Sequence, residues 1–279
     1  MRLNYIIDDK TLDTVVDDTT KFFIGENVCL SQKFNDITQA TDWYQKGYTI
    51  LKSAAYFDVV KVKSELKSKI QSLLTKYNSN AISEKFRLED YHNYVDEEIH
   101  NEIISQTRQI NANDLNIDVS KFLKSISSLF SRELSWESGI SYDPKIIARI
   151  NMPSSKNFNP AHKDVYQVYD STGQIPPMVN IWIPICGVSQ KNNTGLPLVE
   201  GSHLLHESSI QRTKAGVNFN GQKYNVNCVK SWNGEVKLST FSPKEDEFLI
   251  FSSFLIHGLA KNYNKNKTRI SFEFRLFEK

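Results

Sequence analysis

Long apolar runs, paired cysteines and a surplus of one charge are all missing from this 279-residue chain. Each absence narrows what it does. No stretch approaches the roughly 20 apolar residues that a spanning helix needs, so no membrane span is expected. The three cysteines, Cys29, Cys186 and Cys228, are odd in number, widely spaced and without a Cys-x-x-Cys pair. That spacing argues against a disulfide framework and against a zinc ribbon. Thirty-four basic residues against thirty-two acidic ones leave a net charge of +2, too little to point to nucleic acid or a membrane surface. The opening, MRLNYIIDDKTLDTVVDD, has no apolar run behind a basic patch, so no signal peptide is expected and the default compartment is the cytoplasm. Internal repeats and low-complexity linkers are absent too. None of this bears on oligomeric state.

Hydrophobic residues at 39% and aromatics at 11% suffice for a substantial core. The texture of the chain changes near residue 140. Before it, helical periodicity dominates. In DVVKVKSELKSKIQSLLTKY, Val62, Leu66, Ile70, Leu73 and Leu74 line one face, with Asp58 placed to cap the helix. RLEDYHNYVDEEIHNEIISQTRQI reads as a second helix. A third, VSKFLKSISSLFSREL, brings Phe122, Ile126, Leu129 and Phe130 together.

After residue 140 come short β-rich runs broken by Gly, Pro and Asn: KIIARINMP, PMVNIWIPICGV, LPLVEGS, EVKLSTF, EFLIFSSFLIHG and RISFEFRLF. In the last, Ile270, Phe272 and Phe274 alternate with Arg269, Ser271, Glu273 and Arg275. These patterns predict a mainly β protein with N-terminal helices (α+β): one domain over 1–279, with 1–140 largely helical support and 141–279 a β-sandwich or barrel.

Residues i and i+2 of a strand share a face. His162 and Asp164, in NPAHKDVYQVYD, could therefore ligate one ion. His257 ends the apolar run Phe248 to Ile256, which reads as one buried strand, and Gly258 follows it. Two imidazoles and one carboxylate on one side of a metal, with open positions opposite, are the ligand set of non-haem Fe(II) oxygenases. His100-x-Glu102 has similar spacing but sits in a helical pattern, where i and i+2 diverge. His203 and His206, in EGSHLLHES, suit the lining of a pocket better than a metal.

The order His-x-Asp, Asn-x-Trp (Asn180, Trp182), a Gly-rich turn before EGSH, then His-Gly and an arginine twelve positions on resembles the phytanoyl-CoA dioxygenase family. The resemblance covers roughly residues 145 to 276; TGLPLVEGSH and HGLAKNYNKNKTRISFEFR are its most specific pieces. It implies a double-stranded β-helix, that is, a cupin-like jelly-roll core. It also implies an Fe(II)- and 2-oxoglutarate-dependent dioxygenase that consumes O2. His162, Asp164 and His257 would ligate the iron. Arg269 would hold the far carboxylate of 2-oxoglutarate through its guanidinium fork, with Arg275, of the same strand parity, as the alternative. Trp182 and Asn180 would contact the cosubstrate. Arg149 and His203 are candidates for the substrate pocket. Leu259 stands where relatives often carry a small polar residue.

Asp164 favours hydroxylation, because related halogenases have a small residue at the carboxylate position. Residues 211–235 are polar and rich in Gly and Asn, and read as loops or a lid at the barrel mouth suited to a small polar metabolite. No basic cluster suggests a coenzyme A handle. Two other readings share the pocket: a metal-free jelly-roll binding module, for example for sugars, and a metal-dependent cupin-type enzyme without 2-oxoglutarate.

Overall fold

The computed structural model describes residues 1–24, 35–77, 85–108, 110–136, 145–166 and 174–279. In chain order the first strands are β1 Arg2–Ile7, β2 Lys10–Val15, β3 Tyr48–Lys52, β4 Ile110–Asn111, β5 Leu134–Ser135, β6 Lys145–Asn151 and β7 Met178–Cys186. They are followed by β8 Leu196–Leu198, β9 Ile210–Arg212, β10 Val217–Phe219, β11 Gln222–Tyr224, β12 Val229–Trp232, β13 Lys237–Phe241, β14 Glu247–Ser252 and β15 Arg269–Glu278. Three helices, α1 Val59–Thr75, α2 Glu97–Thr107 and α3 Val119–Phe130, precede β6.

One sheet runs β3-β14-β7-β15-β6-β4, with β5 paired to β15; a second runs β2-β1-β13-β8. Bridges from Leu198 to His257 and from His257 to His162 carry the second sheet past β8. The chain thus passes back and forth between the two layers. Taking β6, the His162 segment, β7, β8, β13, β14, the His257 segment and β15 as first to eighth, one layer is ordered sixth-third-eighth-first. The other is ordered fifth-fourth-seventh-second. That is the order of a jelly roll, in which each strand faces the partner that follows it across the sandwich.

Alternation decides which residues face the interior. From β15, Ile270, Phe272, Phe274 and Leu276 join the core beneath the helices, packing with Val62, Leu66, Phe122 and Ile126. Arg269, Ser271, Glu273 and Arg275 therefore face the inside of the sandwich. Both faces of β7 are covered, and all nine of its residues are buried.

Local chemistry sets the helix starts. The carboxylate of Asp58 accepts from the amides of Val60 and Lys61, as the sequence predicts, and α1 begins there. The second helix is shorter than its periodicity predicts: residues Leu88–Asn93 form a 3-10 turn, and Asp96 caps a new start by accepting from the Ile99 amide.

The description of 1–140 as largely helical is corrected. RLNYII and KTLDTV form an antiparallel hairpin that pairs with β13 and extends the second sheet, and β3 joins the first. Their burial alternates strictly over β1 (Leu3, Tyr5 and Ile7 inward), so this segment obeys the period of two that the later strands show.

The run Phe248–Ile256 is likewise not one strand. Ser252 ends β14: its Oγ accepts from the Phe254 amide at 3.1 Å and donates to Asp36 Oδ2 at 2.6 Å. The chain turns there and crosses to the other sheet before His257. Cys186 and Cys228 are free and buried, while Cys29 lies outside the described residues. Among those residues no helix is long and apolar enough to cross a membrane.

Candidate metal centre

His162, Asp164 and His257 come together inside the sandwich, with one ligand atom of each lying within 4.8 Å of the others. Backbone pairing brings the histidines side by side: each donates its amide to the other's carbonyl, at 2.8 and 3.0 Å. Gly258 permits this approach. Its φ is 132°, and a Cβ there would lie 2.3 Å from the Pro160 carbonyl oxygen. Asp164 opens a short 3-10 turn, Asp164–Tyr166, rather than continuing a strand. Its carboxylate still reaches His162 Nε2 at 3.6 Å and His257 Nε2 at 3.9 Å.

Both imidazoles are oriented from behind. His162 Nδ1 lies 2.8 Å from the Pro160 carbonyl oxygen, and His257 Nδ1 lies 3.0 Å from that of Leu255. A carbonyl only accepts, so each Nδ1 carries a proton, and Nε2 is the ring atom turned towards Asp164, free to act as a ligand in the neutral tautomer. Metal-binding histidines use this arrangement.

The charges suit a divalent cation as well. Burial works to raise the pKa of Asp164, but charged partners, the Arg275 guanidinium foremost, outweigh it and hold the carboxyl well below the usual range. Burial, and then His162, push His257 down to about 4. One ionised carboxylate and one neutral imidazole are the forms a metal requires.

Arg275 donates through Nη2 to Asp164 Oδ1 at 2.7 Å, which leaves Oδ2 on the side of His257. That contact separates the two arginines that parity alone leaves equivalent. Arg269 is fully buried and lies with its guanidinium carbon 5.5 Å from the centre of the Trp182 ring. Its Nε and Nη2 donate to the Thr194 and Gly195 carbonyls at 2.6 and 3.1 Å, and its Nη1 to Asn151 Oδ1 at 2.8 Å. Burial lowers its pKa to about 10, so it stays cationic at neutral pH. Of its five N–H donors, one on each Nη stays uncommitted among the described residues.

Two cavities, of about 60 and 150 Å³, share His162 and His257 as walls. Asn180, Trp182, Arg149 and Arg275 line the larger one. Asn180 is buried with both amide atoms unpartnered, and the Trp182 indole N–H has no acceptor. Buried polar atoms seldom stay unsatisfied; among the described residues these two side chains keep unused hydrogen-bonding capacity at the cavity wall. Arg149 faces inward as expected, its Nε donating to Glu273 Oε2 at 2.8 Å.

His203 does not belong with them. It lines neither cavity around the histidine pair; its Nε2 lies 2.6 Å from the Tyr44 carbonyl oxygen and its ring packs edge-on against Tyr44. The sequence reading gives EGSH a turn that leaves His203 near the substrate; the 3-10 turn Ser202–Leu204 is there, but it sets the ring against Tyr44. Leu259 is buried in the core of the second sheet and lines neither cavity either. His100 lies on α2, where its Nδ1 is 3.0 Å from the Tyr91 hydroxyl, and it lines neither cavity.

The sequence reading passed over two contributors. Glu273 shares the inward parity of Arg269 and Arg275, so periodicity could have found it. Lys163, between the two ligands, points to the opposite side. Its Nζ lies 2.9 Å from Glu207 Oε1, and the Tyr166 hydroxyl donates to Glu207 Oε2 at 2.6 Å. All three are buried; no sequence spacing pairs residues 163 and 207.

No protein-family profile matches this chain, and no curated protein does. Solved structures do align with it. "Non-heme monooxygenase, ThoJ-Ni complex" shares 13% identity, covering 87% of this chain and 77% of that one with a TM-score of 0.45. EctD from S. alaskensis, with 2-oxoglutarate and 5-hydroxyectoine, shares 12%, covering 95% and 86% with a TM-score of 0.48. The non-heme alpha-ketoglutarate-dependent epimerase SnoN from nogalamycin biosynthesis shares 12%, covering 87% and 82% with a TM-score of 0.42. At such low identities and scores, the fold assignment rests on the strand order, and the chemistry rests on the His-Asp-His site itself.

Proposed function

We propose that this chain is an Fe(II)- and 2-oxoglutarate-dependent oxygenase that hydroxylates a small polar metabolite. The observation that carries the reading is the convergence of the two Nε2 atoms with the Asp164 carboxylate, each imidazole held by a carbonyl behind it. His162, Asp164 and His257 would hold the iron, which with 2-oxoglutarate and O2 supplies the oxidising power for attack on a C–H bond. The protein's own task is then to bind, orient and exclude water. Arg275 fixes Asp164, and Arg269 offers its two remaining donors to the far carboxylate. The unpartnered groups of Asn180 and Trp182 stand ready for polar atoms of the cosubstrate, and Phe251 packs its ring 4.8 Å from that of His257. Asp164 fills the position that a halide would need, which favours hydroxylation.

The three bonds of Arg269 to Thr194, Gly195 and Asn151 favour one other reading, a cupin-type metalloenzyme that uses no 2-oxoglutarate. Anaerobic titration separates the two. The proposed enzyme binds one Fe(II) and then 2-oxoglutarate, and it forms succinate in a substrate screen. His162→Ala and Asp164→Ala abolish both metal binding and succinate. Metal binding without any 2-oxoglutarate affinity would favour the cupin reading, and a wild-type protein that binds no metal would sink both.

A further inference from the structure

The smaller cavity carries more positive charge than the oxygenase chemistry uses. Arg108 caps the C-terminus of α2 and lines this cavity together with Arg149, Arg269 and both metal-site histidines. Glu273 is the only acidic residue among its described walls, and its carboxylate is already bonded to Arg149. Arg269 is held by Thr194, Gly195 and Asn151. The Arg108 guanidinium has no hydrogen bond or ion pair among the described residues. It is exposed at the rim of the cavity, where desolvation, and then the charge of Arg149, lower its pKa. With Glu273 offsetting Arg149, Arg108 and Arg269 leave the described walls of the cavity net positive, which favours an anion at its opening.

Asn157 and Asn159 add polar groups to the same walls. The β10–β11 hairpin brings Tyr224 within the field of both Arg108 and Arg149. Its hydroxyl donates to Asn157 Oδ1 at 2.9 Å. This hairpin lies within the polar stretch 211–235 that the sequence suggests is a lid.

We propose that Arg108 and Arg149 form an oxyanion subsite at the mouth of this cavity, which receives a carboxylate or phosphate group of the substrate. A guanidinium fork matches either oxyanion. Because the subsite shares a cavity with the two imidazoles, a molecule tethered there by its anionic group lays its neighbouring carbons beside the metal. The substrate class is therefore a small polar metabolite with one terminal oxyanion. Only the reaction that follows binding rests on the oxygenase reading; the anion binding does not.

Calorimetric titration of the full-length protein with inorganic phosphate, and separately with acetate, tests the subsite. Chloride at matched ionic strength is the control, and each titration is run with and without bound metal. One of the two anions binds wild type saturably, and which one tells phosphate from carboxylate. Arg108→Gln weakens that binding by at least about tenfold, as loss of a charge-assisted hydrogen bond requires, and Arg108→Lys recovers part of it. Metal and 2-oxoglutarate affinities stay unchanged in both variants. Equal anion affinity in Arg108→Gln, or no saturable binding by wild type, overturns the proposal. A loss of 2-oxoglutarate affinity in Arg108→Gln overturns it as well, since Arg108 would then be a cosubstrate contact. Arg108-dependent anion binding by a protein that takes up no metal would sink the oxygenase reading and leave the subsite standing.

Discussion

Arg275 and Arg269 show how much one contact decides. Strand parity makes them equivalent, and both face the interior from β15. Arg275 is bonded to the metal-site carboxylate at 2.7 Å, whereas Arg269 reaches the wall formed by Thr194, Gly195 and Asn151. Arg275 is therefore a positioning residue: it holds Asp164 Oδ1 beside His162 and so turns Oδ2 towards His257. Arg275→Gln weakens metal binding by roughly 10- to 100-fold, the usual effect of removing a group that holds a metal ligand. Arg269→Gln leaves metal affinity intact and weakens 2-oxoglutarate binding instead. Paired metal and cosubstrate titrations check both outcomes, and exchanged effects would reverse the assignment. The alternation of β15 was legible in the sequence; the division of labour was not, because it depends on what lies across the cavity.

At the level of elements, the site is made by two segments too short to be strands. The His162 and His257 segments meet through isolated bridges, and they can do so because Gly258 has no Cβ to strike Pro160. Gly258→Ala forces these segments apart and strains a backbone at φ 132°. It is expected to weaken metal binding strongly while keeping the sheet content of far-UV circular dichroism; unchanged metal affinity would show that the approach is slack. The neighbouring pair Lys163–Glu207 anchors the same segment from behind. Lys163→Ala leaves the buried Glu207 carboxylate without its lysine, though still bonded to the Tyr166 hydroxyl, and costs on the order of 3–5 kcal/mol, read as a fall in Tm. The double change Lys163→Met with Glu207→Leu costs less than that, since no charge is left unpaired. The sequence displayed His-x-Asp plainly, but it read the residue between them as a spacer, because nothing local shows that Lys163 is buried.

For the molecule as a whole, stability has a pH dependence that the buried imidazoles set. Burial lowers His100 from 6.5 to about 4, and its Nδ1 is 3.0 Å from the Tyr91 hydroxyl. A depressed folded pKa means that the unfolded chain takes up the proton first, so this stabilisation is present above pH 6.5 and is lost as pH falls towards 4. In the metal-free protein, with chelator present, Tm falls over that window, and His100→Gln lessens the fall. An identical slope in the variant would remove His100 from the account.

The sequence by itself determined the class of fold and the candidate ligands. Periods of 3.6 and 2 are local properties, and histidine and carboxylate can be named wherever they stand. It failed for the N-terminal hairpin, whose alternation was visible but outweighed by the helices after it, and for the crossing at Ser252, where an unbroken apolar run conceals a change of sheet. Only the tertiary structure decided that His203 lines neither cavity, that Arg275 holds Asp164 and that Arg108 and Arg149 line one cavity. Those outcomes depend on contacts between residues far apart in the chain, and their energies arise only when packing removes water and brings the charges together.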